Sequence, residues 1–557
     1  MWQESDEREI SMIESGMYNM DEVRELERLA AAKDLLGAIE YVEALPLELQ
    51  GRWEIQDMLG GVCAVCGELE MAKQFYRAAL KQCPSNPELL QNLLNVGRSL
   101  RKKLHTDTAL PSGANRALMI AYFFPPLSGS GVFRSLKFAK YLPMFDWYPT
   151  VISAEKPPVY WSMKDESQEA EIPKDVEVIR ISDRVDQRQL NCLNDKERKE
   201  LLDFLRSVLC ENDTVMGLIE ALAQTPEGKE KLLCFPCWTL SWAYDVAQYI
   251  EKNLPLDQFQ VIYTTSWPYS AHLVGLYLKH KYGIPWVADY RDMWTNNPFY
   301  PCDVTKLGNR LSIATEELLL HSADCNITIA KENIPIYVNQ FRVDASKFAE
   351  ITNGYDETDF SDICDRVWRA GKFTINYSGL LYSDHRSIAP VLRGIKELCE
   401  EKKMDKTQIL FRFVGISTDS NLELVQRYGM EDIFQYVDYV SHKEALLANL
   451  NSDLLLLLVG DGSQLKTVYT GKVFEYLRCG RPILAIAPKD GVVDQLLKET
   501  KHGKAFLSTQ IPEIKQMILE EYIKWHNGIR RIQGFERKAL TAKLAEIFEK
   551  VSLGNKK

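Results

Sequence analysis

The sequence has no excess of basic residues. Its 67 Lys and Arg stand against 78 Asp and Glu, a net charge of −11, whereas binding nucleic acid through its phosphates needs a basic face. Nucleic acid is therefore not the expected partner, although a local basic cleft is compatible with that total. No apolar run reaches the roughly 18–20 residues that span a bilayer, and the amino-terminal MWQESDEREISMIE is acidic where a secretory leader is basic and then apolar. The expected location is cytoplasmic, with at most a peripheral place on the inner membrane face. The 12 cysteines are scattered, which in a long chain suits reduced thiols better than a disulfide framework. Two CxxC pairs, Cys63/Cys66 and Cys234/Cys237, lie about 170 residues apart, whereas structural zinc wants four ligands, usually as two such pairs close in sequence. No metal site is expected. No pair of carboxylates flanking a sugar is evident either, which counts against a glycoside hydrolase.

What is present suits a soluble protein of several domains. Hydrophobic residues make up 46% and charged residues 26% of the 557, which at roughly 100–200 residues per domain predicts three. Residues 1–110 read as all-helical, with Glu22–Glu43 and Trp53–Cys83 free of strand alternation. A motif repeats there: Ala38, Tyr41 and Ala44 recur as Ala72, Phe75 and Ala78 at an offset of 34 residues, the period of a tetratricopeptide (TPR) helix pair. Gly67 falls at the expected turn between helices, and Pro84 and Pro87 between units. The alternative is a generic helical bundle. Arrays of helix pairs present a concave surface, so this region points to a protein partner or to self-association. Residues 101–116, with their charge, Pro and Gly, read as a linker.

Alternating strands and helices follow. Ala117–Phe124 is a strand of buried type, Pro125–Gly131 a loop, and Val132–Met144 a helix; Pro149–Ser153 begins the next strand, completing a βαβ unit with a glycine-bearing first turn. Gly129, Ser130 and Gly131 let backbone amides approach a phosphate or sugar, with Arg134 one turn into the helix. A tight turn needs glycine with or without a ligand. Arg134, Lys137 and Lys140 on this helix read as a solvated face. Residues 160–235 are polar and helical in pattern and carry no readable motif. Val261–Thr265 and Ile284–Ala288 are further strands, the second running into Asp289-Tyr290-Arg291-Asp292, where polar groups at the carboxyl end of a parallel strand meet the ligand crevice. Asp289, Asp292 and His272 are the candidate catalytic groups. The competing readings are a buried ion network around Arg291 and a packed histidine.

A second series starts with Phe373–Tyr377, followed by Ser378-Gly379 and, in the loop, Arg386. It continues through Ile409–Val414 and Phe434–Val437 to Leu454–Val459 and Ile483–Ala487, two runs of the kind buried on both faces of a parallel sheet. Between those two runs lies a short helix. Thr470 is the expected N-cap, Gly480 the left-handed C′ residue and Pro482 the stop. Thr470, Gly471 and Lys472 then form an anion site at the helix start, with Glu475 one turn on. The competing reading is a surface Lys–Glu pair contributing about 0.2–0.5 kcal/mol. The last 45 residues, with helices over Ile514–Trp525 and Phe535–Val551, carry no assignable chemistry.

Four stretches in this order, AYFFPPLSGSGVFRSLKFAKYLP, PWVADYRDMWT, ITNGYDETDF and TGKVFEYLRCGRPILA, resemble the family 4 glycosyltransferases. The resemblance covers Arg116 to Val551. It implies two Rossmann-like α/β domains in a GT-B arrangement, here preceded by the TPR-like all-α region: 1–110 helical, 116–365 on the acceptor side, 370–512 on the donor side, and 513–557 as C-terminal helices packing back across the domains. The implied activity is retaining transfer of a sugar from a nucleotide-sugar donor, a UDP- or GDP-sugar, to a glycan, lipid-linked or protein acceptor, with no required metal or other cofactor. The Gly129–Gly131 loop would border the diphosphate and acceptor, Gly379 would lie at the donor edge, Arg386 and Lys472 would neutralise the diphosphate, and Glu475 would hold the ribose. The family's other glutamate should stand eight positions before Glu475, and Thr467 occupies that place. Asp461 is the candidate substitute carboxylate. That departure keeps two other functions open, a non-catalytic GT-B scaffold and a nucleotide-sugar epimerase.

Overall fold

The computed structural model describes residues 20–83, 86, 89, 92–93, 96, 114–127, 130–155, 166–183, 190, 193–299, 302–361, 363, 371–381, 386–417, 419–525 and 535–554. The described residues fall into two compact units, a helical one up to Ala114, which also takes in residues 144–146, and an α/β one from Asn115 onward. None of the described helices is long and apolar enough to cross a membrane.

In the helical unit, α1 (Met20–Ala32) and α2 (Leu35–Ala44) form one hairpin and α3 (Trp53–Cys66) and α4 (Leu69–Gln82) another. The continuous helix expected over 22–43 is broken at Asp34, whose carboxylate caps α2 by accepting from Gly37 N. The helix expected over 53–83 is broken at Gly67, which ends α3 in the left-handed region. Ala38 and Ala72, equivalent in the 34-residue echo, are both fully buried. The proposed inter-unit prolines, Pro84 and Pro87, and most of the linker lie outside the described residues.

The α/β unit is built on two all-parallel sheets. Seven strands run in the order β3-β2-β1-β4-β5-β6-β7 and six in the order β10-β9-β8-β11-β12-β13. The first sheet comprises β1 (Asn115–Ile120), β2 (Trp147–Ala154), β3 (Glu177–Ile181), β4 (Phe259–Ser266), β5 (Trp286–Tyr290), β6 (Cys325–Thr328) and β7 (Phe348–Glu350). Helix α5 (Ser130–Tyr141) connects β1 to β2, and α6 (Asp195–Leu209), α7 (Asp213–Ala223), α8 (Pro226–Leu233) and α9 (Leu240–Asn253) lie between β3 and β4. This motif-free stretch is therefore a strand followed by helices. Then come α10 (Ser270–Tyr282) after β4, α11 (Leu307–Ser322) after β5, and α12 (Asn333–Phe341) after β6. One face of the sheet packs Leu118, Ile120, Ile262 and Ala288 into a core with Trp242 of α9 and Leu273 of α10.

The second sheet comprises β8 (Phe373–Ser378), β9 (Ile409–Val414), β10 (Phe434–Val437), β11 (Leu454–Leu458), β12 (Ile483–Ile486) and β13 (Gly503–Phe506). Its helices are α13 (Ala389–Glu400), α14 (Asp419–Tyr428), α15 (His442–Leu450), α16 (Lys472–Cys479), α17 (Val492–Thr500) and α18 (Ile511–Ile523). The five leucines of β11 divide between two cores. Leu454, Leu456 and Leu458 face α13 and α18, while Leu455 and Leu457 face α16 and α17, the period-two alternation of a strand buried on both sides. The last helix, α19 (Arg537–Gly554), returns to the first sheet, where the Phe548 ring meets Trp147 at 5.2 Å and Tyr263 at 6.0 Å. These are two Rossmann-like α/β halves in a GT-B arrangement, with the chain crossing back at its end.

Each sheet has one place where consecutive connections run to opposite sides, between β1 and β4 in the first and between β8 and β11 in the second. Ligand crevices of open α/β sheets form at the carboxyl ends of the strands at such switch points.

Candidate functional site

At the second switch point, Gly379 follows β8 with φ of 128°, a conformation other residues rarely adopt. Above it lies Lys472, the first residue of α16. A Cβ on Gly379 would run into the Lys472 ammonium, which donates to Tyr377 Oη at 3.0 Å and sits 4.5 Å from that ring's centre. Helix α16 starts without a side-chain cap: its N-cap is Gly471, and Thr470 contributes only its carbonyl, to Val473 N at 3.2 Å. This corrects the expected capping role of Thr470, whose hydroxyl is buried and has no hydrogen-bond partner among the described residues. Uncapped amides, an unmatched hydroxyl and an ammonium thus converge at the helix start, an arrangement suited to an anion. At its other end α16 closes as expected, with Gly480 in the left-handed region.

Arg386 lies elsewhere in the cleft, its guanidinium carbon 5.9 Å from the ring centre of Phe299, which comes from the loop after β5. Asp461 accepts from Ser508 N at 2.8 Å, so its carboxylate anchors a neighbouring loop instead of standing in for a glutamate at Thr467. Glu475 faces His442 at the start of α15, with His442 Nε2 3.0 Å from Glu475 Oε1. The ring of His442 in turn packs on Phe133 of α5, centroids 4.4 Å apart. The glycine-loop helix of the first sheet and the Glu475 helix of the second therefore meet through one histidine.

The first-sheet candidates are arranged differently. Arg134 is not aimed at a ligand: it is fully buried, bonded to both oxygens of Asp289 at 2.7 and 2.8 Å and to the carbonyls of Ile351 and Thr352 at 3.0 Å. Asp289 lies within β5, not beyond its end, and also accepts from Tyr263 Oη at 2.5 Å and Thr265 Oγ1 at 3.2 Å. Burial opposes its ionisation, but Arg134 and these donors hold its carboxyl below the ordinary range. With both oxygens committed, Asp289 is a structural carboxylate and not a proton acceptor for substrate. His272 is also displaced from a catalytic role. It is fully buried, its Nδ1 is 2.6 Å from Thr264 Oγ1, and burial drives its pKa down to about 3, which leaves it neutral.

Asp292 is half-exposed and pairs with Arg291 at 3.1 Å. The Arg291 guanidinium rests on Gly131 so closely that a Cβ there would collide with it, so this glycine, in the first turn of α5, makes room for the arginine that follows β5. Gly129 lies outside the described residues, and Ser130 is described only as the first residue of α5.

Lys137 and Lys140 are not a solvated face. Lys137 bonds Glu171 at 2.6 Å, Asp356 at 2.8 Å and Asp359 at 2.8 Å, and Lys140 bonds Glu171 at 2.6 Å and Asp356 at 3.1 Å. Three carboxylates whose oxygens lie within 4.8 Å of one another are thereby bridged by two ammonium groups. Against the cost of burial, Lys137 and Lys140 hold Asp356 well below its usual range, while burial and the Asp356 charge push Asp359 up. Asp356 and Asp359 belong to the hinge segment joining the sheets, Glu171 to the short helix before β3 and the lysines to α5, so this network ties the three together. Arg478 of α16 is tied to the same segment through Glu357, its Nε 2.5 Å from Oε2.

Sequence reasoning missed Tyr377, His442 and Arg537. Arg537, at the start of α19, lines one recess with Phe133, Tyr355, Asp359, His442 and Glu475. Its Nη1 is buried without a hydrogen-bond partner, and burial followed by the nearby Arg134 lowers its pKa to about 10. Nothing local in the sequence marks these residues; their partners lie far away along the chain.

No protein-family model and no curated protein matches the sequence. Solved structures do. Sucrose-phosphate synthase from Thermosynechococcus elongatus matches at 12% identity over 79% of this chain and 97% of its own, with a TM-score of 0.46. A glycosyltransferase from Rickettsia africae matches at 12% identity over 79% and 99%, with a TM-score of 0.45. UDP-GlcNAc 2-epimerase from Neisseria meningitidis, solved with UDP-GlcNAc, matches at 10% identity over 78% and 100%, with a TM-score of 0.42. At these identities and scores the likenesses assign neither a reaction nor any residue's role.

Proposed function

We propose that this chain is a glycosyltransferase that moves a sugar from a nucleotide-sugar donor to a glycan, lipid-linked or protein acceptor with retention at the anomeric carbon. One observation carries the proposal: the uncapped start of α16, with Lys472 held over Gly379 at the switch point of the second sheet. As the bond from sugar to diphosphate breaks, charge grows on the leaving group. Lys472 and the free amides at the helix start stabilise that charge more in the transition state than in the ground state, and Arg386 across the loop adds to it. Glu475 is assigned to the ribose, the first sheet with Gly131, Arg291 and Asp292 to the acceptor side, and the TPR-like helical region to a protein partner or a second copy.

The test is a screen of UDP- and GDP-sugars with candidate glycan, lipid-linked and peptide acceptors, following nucleoside diphosphate release and the product's anomeric configuration by NMR. Release that depends on an acceptor and is lost in Lys472→Ala supports the proposal. Conversion of a donor without any acceptor would identify an epimerase, and binding without turnover of any donor a scaffold.

A further inference from the structure

We propose that His442 is a positioning residue that orients the Glu475 carboxylate for the donor's ribose and couples that orientation to the seating of α5. The inference rests on the nucleotide-sugar reading. Ser441 caps α15 in a reciprocal box, its Oγ accepting from Glu444 N at 3.4 Å while Glu444 Oε2 accepts from Ser441 N at 3.0 Å. The backbone of His442 is thereby fixed, leaving only its side-chain torsions to be set by neighbours.

Those neighbours come from four elements. On one side Nε2 meets Glu475 Oε1 of α16 at 3.0 Å; on the other Nδ1 faces Asp359 Oδ2 of the hinge segment at 3.9 Å. The ring lies on Phe133 of α5, one turn further along α5 is Lys137, and Arg537 of α19 lines the same recess. An acid at each ring nitrogen suits the imidazolium, which donates from both. Burial and Lys137 oppose that charge, but Glu475 and Asp359 outweigh them and raise the His442 pKa. Glu475 is held through Oε1 alone; Oε2 makes no hydrogen bond among the described residues and is the oxygen left for ligand hydroxyls. Because Phe133 bounds the ring from the first sheet, movement of α5 changes where the imidazole, and with it Glu475, can point.

The test combines steady-state kinetics with calorimetric binding of UDP and GDP, each from pH 5.5 to 9, on the full-length wild type, His442→Ala, His442→Gln, Glu475→Ala and the His442→Ala/Glu475→Ala double variant. In the wild type, donor KM and nucleotide Kd should rise with pH as His442 loses its proton. His442→Ala should raise donor KM about tenfold with kcat changed less than about threefold, the signature of lost binding, not lost chemistry. His442→Gln, which keeps one donor to Glu475, should lie close to the low-pH wild type and show no such pH dependence. On the Glu475→Ala background, His442→Ala should add nothing. Additive effects of the two substitutions, or a His442→Ala donor KM and nucleotide Kd within twofold of wild type at every pH, overturn the inference. So does failure of the wild type to bind either nucleotide. Nucleotide binding that depends on His442 in a protein without transferase turnover would sink the transferase reading and leave the positioning role standing.

Discussion

The carboxyl edges of the two sheets hold similar residue types and use them in opposite ways. At the first edge, Arg134 and Asp289 satisfy one another in the core, and Glu316 accepts from Thr295 N at 3.0 Å and Thr295 Oγ1 at 2.5 Å to anchor the loop after β5. At the second edge, Lys472 has a tyrosine hydroxyl and a glycine beneath it, the helix start has no cap, and the Thr470 hydroxyl is unmatched. A charged residue at a strand end is thus no evidence of a ligand by itself. The evidence is whether the protein has already satisfied it.

The largest effect should come from breaking the satisfied edge. Asp289→Ala leaves Arg134 buried without its counter-charge, and a loss of about 3–5 kcal/mol is expected, read as a lowered denaturation midpoint. Lys472→Ala should do the reverse. It removes an ammonium that no carboxylate of the described residues pairs with, so stability should change by less than about 1 kcal/mol while transfer falls about 10²–10³-fold, measured as nucleoside diphosphate release beside a denaturant titration. If Lys472→Ala unfolds the protein as Asp289→Ala does, the contrast between the edges is lost.

Glu316 sharpens the comparison through pH. Complete burial raises its pKa from 4.5 to about 7. An acid whose pKa is higher in the folded state binds its proton more tightly there, so its contribution to stability is present at low pH and is lost as pH rises between those two values. Glu316→Gln keeps an acceptor for Thr295 and removes the titration. It should match the wild type near pH 4.5 and exceed it by about 1–3 kcal/mol at pH 8, measured by urea unfolding at both pH values; equal stability at pH 8 would contradict the assignment. The smallest effect is expected for Gly379→Ala. A Cβ at positive φ costs about 1–2 kcal/mol and displaces the Lys472 ammonium, so donor KM should rise more than the loss of stability alone explains.

Much of the second sheet was readable from sequence because its strands are short and dominated by aliphatic and aromatic residues. Ile409–Val414 and Phe434–Val437 were each read with the boundaries they have in the fold, and Leu454–Val459 ends one residue beyond its strand. Glu177–Ile181 was missed because two of its five residues, Glu177 and Arg180, are charged, and Phe348–Glu350 because three residues carry no period. The same division holds at the site. Thr470, Gly471 and Lys472 are contiguous, so their grouping at a helix start could be read locally. That Arg134 is spent on Asp289, 155 residues away, and that Lys137 and Lys140 face hinge acids more than 200 residues on, could not. Partner identity, which decides between a ligand site and a structural ion pair, is set by packing between distant segments. Arg537 shows the cost of that blindness most plainly: it reaches the recess beside Glu475 only because the last helix crosses back to the first sheet.

The most direct test of the central claim is a crystal structure of the protein soaked with UDP or GDP. The predicted result places the diphosphate within hydrogen-bond distance of the amides of Gly471 and Lys472 and of Lys472 Nζ, with the ribose at Glu475 Oε2. A nucleotide bound instead at the Gly131–Arg291 edge of the first sheet, with the start of α16 unoccupied, would contradict it.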